Sequence, residues 1–230
     1  MIFKYSKERP VYINIIFFLV AFLGMFILPS EFAIVVSKII KSEQISSIIG
    51  NGLFIVVLYL MYKKDLDKEF KTFKENFKSN FKAGFKYYIA GLISMIVFNL
   101  FIAIIIKDVS ANENIVRDML FKFPVYTMFT IAIIAPLSEE LTFRKSLEPL
   151  LKNKWVYAFA SGLLFGACHL VAGEFKLINL LYLLPYGSLG FTFALMDKET
   201  NTTFTSVMMH MIHNAMTGAL LLITFKLGAI

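Results

Sequence analysis

The chain has 230 residues, of which 58% are hydrophobic and 17% charged, and its mean hydropathy is +0.71. That balance excludes an ordinary soluble domain, which needs more polar surface to cover a core of this size. Its net charge of +7 comes from lysines placed between apolar stretches, which favours anionic lipid headgroups over nucleic acid. The single cysteine, Cys168, excludes an internal disulfide framework.

The first apolar stretch, from about Val11 to Leu28, follows Lys4, Lys7 and Arg9 and so has the outline of a signal peptide. It is long enough to span a bilayer, and Leu28-Pro29-Ser30-Glu31-Phe32 is a poor cleavage site, so we read it as a retained helix. Further helices are expected near 45–62, 87–106, 124–151, 155–171, 178–196 and 204–225, seven in all. A short or re-entrant helix at 31–40 would make eight. With an inside N-terminus, the segments on that side hold 15 Lys and Arg against 7 outside, so the N-terminus is expected to be cytoplasmic.

Between the second and third spans, Phe70, Phe73, Phe77, Phe81 and Phe85 recur at helical spacing and are flanked by Lys68, Lys71, Lys74, Lys78, Lys82 and Lys86. This reads as a basic amphipathic helix over about 63–86, lying in the membrane interface as an anchor or as a docking surface for a peptide. No repeat or Pro/Gly/Ser-rich linker divides the chain. It reads as one structural domain, with residues 1–123 forming the N-terminal helices and 124–225 the polar-bearing core.

Ionisable groups inside apolar spans cost roughly 2.5–3.5 kcal/mol each, so they ordinarily face a bundle interior and serve a purpose. Here they cluster late in the chain. Glu140 and Arg144 are four residues apart and can pair on one helical face, whereas Glu139 sits about 100° away without that partner and is free to act as a base for water. His169 ends the stretch Phe165-Gly166-Ala167-Cys168-His169; alone it reads as a packed core histidine. His210 and Asn214 share a face one turn apart, suited to a metal or to donation toward an oxyanion. His213 reads as structural or substrate-facing. Counting from Asn153, Glu140 and His169 both lie roughly 20–24 Å along an antiparallel hairpin, at ~1.5 Å per residue, so they can face each other.

Glu-Glu-x-x-x-Arg, then Phe-x-x-x-His, then His-x-x-x-Asn, each on its own span and in this order, resembles the CPBP family. Its members are CAAX-processing endopeptidases and bacteriocin-processing or immunity (Abi) proteins. The likeness covers about residues 124–220. It implies an all-α polytopic membrane fold of seven to eight helices around an intramembrane cavity, with residues 124–225 as the catalytic core. It also implies that Glu139, assisted by His169, activates water for peptide-bond hydrolysis. Glu140 with Arg144 would be the supporting pair, and His210 with Asn214 would stabilise the oxyanion.

The family pattern admits zinc or no metal. Glu139, His169 and His210 make a two-histidine, one-carboxylate zinc set, while the lack of His-Glu-x-x-His tilts the reading toward metal-free activation. The implied partners are membrane lipids and a membrane-associated peptide or protein. The Lys-, Ile- and Phe-rich composition suggests a low-GC Gram-positive bacterium, hence a bacterial cell membrane and a leader peptide, pheromone precursor or bacteriocin as substrate. The competing reading is a non-catalytic immunity or scaffold protein of a bacteriocin or cell-envelope system. A small transporter with a Glu/His relay ranks lower, because no inverted repeat is visible.

Overall fold

The computed structural model describes residues 4–106, 109–172 and 176–228, and every regular element among them is helical. The elements are α1 (Val11–Ser37), α2 (Glu43–Glu75), α3 (Phe77–Ile106), α4 (Ala111–Lys122), α5 (Pro124–Phe129), α6 (Ala135–Glu140), α7 (Lys154–Cys168), α8 (Leu183–Thr200) and α9 (Thr203–Lys226). Widened π turns at Thr130–Ile134 and Leu141–Lys145 follow α5 and α6. Polar caps set the starts: Asn153 accepts from the amides of Trp155 and Val156 at the head of α7, and Thr202 from that of Phe204 at the head of α9.

The distribution of side chains is that of a membrane protein. Ile104, Val125 and Leu220 face outward at 78%, 84% and 62% exposure, while Thr142, Arg144, Ser146 and Ser161 are fully buried. Lipid favours such an apolar exterior, and inside it Ser146 and Ser161 bond to the carbonyls of Thr142 and Phe143. Among the described residues five stretches are long and apolar enough to cross a membrane: α1, α2, α3, Leu177–Thr200 and α9. The chain is thus a multi-pass membrane protein.

Two of the seven expected spans take another form. The stretch expected as one helix over 124–151 is a succession of short α and π segments ending at Lys145, and α7 has only 15 residues. The possible extra helix at 31–40 is the end of α1, which runs through Pro29 to Ser37. The sequence reading also missed α4, whose 12 residues are too short and too charged to register as a span. The 63–86 segment is helical except at Asn76, but it forms the end of α2 and the start of α3, with breaks in helical geometry at Tyr62 and Asn76. Phe70 and Phe73 of this segment pack on Phe204 of α9, at ring separations of 5.0 and 6.2 Å.

The long helices pack as a frame around 124–145. α1 lies on α2, α3 on α8, and α8 on α7. The last contact is close because glycines meet: a Cβ on Gly162 would come within 2.6 Å of the Gly187 carbonyl oxygen. Three apolar clusters result. Phe54, Leu58, Tyr62 and Leu66 meet Ala21 and Leu141; Tyr88 meets Leu189, Phe193, Met196 and Met209; and Leu147 meets Tyr157, Ala158 and Ala194.

Candidate active site

The short segments at 124–145 have a local cause. Pro136 has no N–H, so the π register that begins with Ala135 donating to Thr130 cannot continue to the Ile131 carbonyl. That carbonyl is satisfied from another helix, by Asn214 Nδ2 at 2.8 Å. Ser138 adds a hydroxyl bond back to Ile134 at 3.2 Å and to Ala135 at 3.0 Å. Irregular backbone at membrane depth is tolerated where protein groups supply the missing bonds in this way.

The segment delivers Glu139 and Glu140 to different surroundings. Glu140 is fully buried between two partners. Arg144 Nε lies 3.1 Å from Oε2, an ion pair without good hydrogen-bond alignment, and His210 Nδ1 donates to Oε1 at 2.8 Å. Arg144 is itself fully buried: it donates from Nη2 to the Gly190 carbonyl at 3.3 Å, and its guanidinium lies 4.7 Å from the Phe165 ring centre and 5.7 Å from that of Phe193. Glu139 keeps 16% of its side-chain surface accessible, and its Oε2 is 3.7 Å from His210 Nε2. With Nδ1–H committed to Glu140, Nε2 is the atom His210 has left for chemistry.

His169 caps the end of α7. Its Nδ1 donates to the Phe165 carbonyl at 2.8 Å, leaving Nε2 free, and its ring lies against Phe165 at 4.5 Å. Phe165 also touches the His210 ring at 5.8 Å, so one aromatic side chain separates the two imidazoles. His169 interacts electrostatically with Glu139, His210 and Arg144. Nearer the 146–153 connection α7 meets the segment directly, where Ser161 donates to the Phe143 carbonyl at 3.0 Å and Tyr157 to that of Arg144 at 3.3 Å.

Direct contacts therefore join Glu139, Glu140, Arg144 and His210, and His169 is brought alongside through Phe165. Asn214 stands one turn from His210 with one amide hydrogen committed to Ile131. His213 is turned away, buried against Tyr88 of α3 at a ring separation of 5.9 Å. Cys168 is a free, partly buried thiol. Among the described residues no three His, Cys, Asp or Glu side chains are placed to hold a metal ion. Glu139, His169 and His210 do not form a zinc site as arranged. An apolar groove of about 240 Å³, lined by Ile55, Tyr59, Leu66, Leu137, Leu141 and Val207, adjoins the segment; none of the six motif residues lines it.

Sequence reasoning missed a second buried charge cluster at the end of the segment. Lys145, counted in sequence as a loop charge, is 2% exposed and bridges Glu69 at 2.5 Å and Glu148 at 3.2 Å. Glu148 is also paired with Lys7 at 3.2 Å and Lys198 at 3.4 Å. Glu69 accepts from the Thr203 amide at 3.0 Å, which ties α2 to the start of α9. Arg9, also counted as a loop charge, is buried and donates to the carbonyls of Lys4 and Met61. Most of these pairings join residues 50 to 141 positions apart, so no local spacing announces them.

The family model "Type II CAAX prenyl endopeptidase Rce1-like" matches residues 121–216, the stretch that contains all six motif residues. The chain is also 30% identical over 129 residues to the "Putative membrane peptidase YdiL" of Bacillus subtilis (strain 168), an alignment covering 55% of this chain. The chain spans about half the length of that relative, 47%. No solved structure matches it significantly. With the three motifs in order and their side chains gathered in a buried cluster, the chain is similar, through residues 121–216, to the Rce1-like CAAX prenyl endopeptidases.

Proposed function

We propose that the protein is an intramembrane endopeptidase that hydrolyses a peptide bond of a membrane-associated peptide or protein with a water activated by Glu139. One observation carries the reading: of two adjacent carboxylates, Glu140 is consumed by Arg144 and His210, while Glu139 remains partly accessible beside the same imidazole. A buried ion pair with a hydrogen-bonded histidine is a rigid support, and a neighbouring carboxylate with free lone pairs is a base.

In this scheme Glu139 takes a proton from water as the water oxygen bonds to the scissile carbonyl carbon. His169 Nε2, left free by the Nδ1 bond to Phe165, accepts the water's other hydrogen and orients it. The carbonyl oxygen becomes an oxyanion. An Nε2–H of His210 and the second amide hydrogen of Asn214 are the donors available to it. Glu139 then returns its proton to the amide nitrogen as the C–N bond breaks. Glu140 and Arg144 hold the helix face and the tautomer of His210. The N-terminus is placed on the cytoplasmic side, and the substrate class is a peptide or protein presented by a bacterial membrane.

The purified protein in detergent is expected to cleave members of a peptide library. Removal of a general base costs typically 10²–10⁴-fold, so Glu139→Gln should lose at least ~100-fold while remaining folded. Cleavage that survives Glu139→Gln overturns the mechanism. A wild-type protein that cleaves nothing, with a cellular role unaffected by Glu139→Gln, favours a non-catalytic immunity or scaffold role.

A further inference from the structure

The proposed reaction depends on His169 Nε2 pointing at the water, yet His169 sits where its helix ends. The residue caps α7, and beyond it the chain turns through 170–172, so the regular hydrogen bonding that fixes a mid-helix side chain stops there. Among the described residues the ring makes one hydrogen bond, Nδ1–H to the Phe165 carbonyl, which fixes one ring atom and leaves the ring plane free to swing about that bond. Phe165 also flanks the ring, tilted by 45°, but belongs to the same helix and moves with it. A restraint independent of α7 has to come from elsewhere.

Tyr186 of α8 supplies it. Its ring stacks on the His169 imidazole with centres 4.3 Å apart and planes 22° from parallel. The glycines beneath make the approach possible, because α7 and α8 come together at Gly162, Gly166 and Gly187, immediately beside these two rings. Tyr186 is anchored at its far end. Its hydroxyl is 2.8 Å from the Ser110 hydroxyl, which also accepts from the Glu113 amide at 3.1 Å as the cap of α4. A chain of contacts therefore runs from the start of α4 through Ser110 and Tyr186 to the imidazole.

We propose that Tyr186 is a positioning residue that holds the His169 imidazole in its working orientation, with Ser110 holding Tyr186. The proposal rests on the endopeptidase reading for its kinetic consequence and on geometry alone for the stack. Tyr186 touches neither water nor substrate; it acts through His169. An aromatic pair of this kind corresponds to about a 2- to 12-fold effect. Since the stack orients a group that acts in the chemical step, the loss falls on kcat rather than KM.

The test uses the full chain in detergent with the variants Tyr186→Phe, Tyr186→Leu and Ser110→Ala. The three histidines give three imidazole signals in histidine-labelled protein, and His169→Gln assigns the relevant one. Tyr186→Leu is expected to remove the ring-current shift of His169 and leave those of His210 and His213 in place, whereas Tyr186→Phe retains it. In the cleavage assay Tyr186→Leu should lose about 2- to 12-fold in kcat with KM unchanged, and Tyr186→Phe should recover most of that loss. Ser110→Ala, which also removes the cap of α4, should cost at least as much as Tyr186→Phe, and the two should add incompletely because both break the Ser110–Tyr186 bond. A His169 signal unmoved by Tyr186→Leu overturns the proposal, as does a loss confined to KM or equal in the Phe and Leu variants. A wild-type chain that shows the stack in its spectrum but cleaves nothing sinks the endopeptidase reading alone.

Discussion

Arg144 offers the sharpest test of how the site is held together. Its guanidinium is fully buried, and replacing it with Met keeps most of the volume and the contact with Phe165 and Phe193. What Arg144→Met removes is the charge facing Glu140 at 3.1 Å and the bond to the Gly190 carbonyl at 3.3 Å. Glu140 then stays fully buried with His210 as its one remaining partner. Breaking a buried pair from one side costs about 3–5 kcal/mol, because the surviving charge keeps its desolvation penalty and loses its compensation. Replacing both partners removes that charge, so Glu140→Leu combined with Arg144→Met should be less destabilised than Arg144→Met alone, by about 1–3 kcal/mol. The double variant still lacks the acceptor for His210 Nδ1, which limits the recovery. Both are measured by denaturant titration in mixed micelles through Trp155, the only tryptophan, which stacks on Phe191 across the α7–α8 contact. An Arg144→Met variant as stable as wild type, or a double variant worse than the single by the full cost of Glu140→Leu, refutes the view of this pair as mutually dependent.

Two more outcomes follow from the same network. Burial pushes the Glu148 carboxyl up, but Lys145, Lys198 and Lys7 outweigh it and hold the group at about 2, below its usual 4.5. A depressed carboxylate stabilises the fold above its unfolded pKa and loses that contribution as pH falls through the folded one, so up to about 3 kcal/mol should disappear between roughly pH 4.5 and 2. Stability measured across that range should fall less steeply in Glu148→Gln, and identical slopes would contradict the assignment. Asn214→Ala should cost about 1–3 kcal/mol by orphaning the Ile131 carbonyl. Adding Pro136→Ala supplies a backbone N–H to that carbonyl and should restore part of the loss, whereas an additive double variant would show that the proline does not create the need for Asn214.

The residues of the site were legible in the sequence because each is anomalous where it stands. Glu139, Glu140 and Arg144 interrupt an apolar run, and the i, i+4 spacing of Glu140 and Arg144 already implies the pair that the structure contains. Two other features were hidden for a physical reason. Hydropathy windows detect uniform apolar length, so they joined 124–151 into one helix and passed over the effect of Pro136, which breaks the segment into α and π pieces. Nor do windows weigh partners far along the chain. Lys145 looked like a loop cation until Glu69 and Glu148 closed on it, and Tyr186 looked like one of ten tyrosines until α8 laid it on His169.

These two hidden features share an origin. A membrane interior tolerates irregular backbone and charge only where protein, rather than lipid, surrounds them. The chain meets that condition by placing its least regular stretch, 124–145, within a frame of long helices whose outer faces are apolar. Several of its polar groups are answered from other elements. Asn214 of α9 answers the Ile131 carbonyl, His210 of α9 and the Gly190 carbonyl of α8 answer the Glu140–Arg144 pair, and Glu69 of α2 answers Lys145. Such cross-helix answers fix the segment's position as well as satisfying its polar groups. The carboxylate not fully consumed, Glu139, is therefore held by its neighbours' bonds rather than by its own, which leaves it accessible for the role proposed for it.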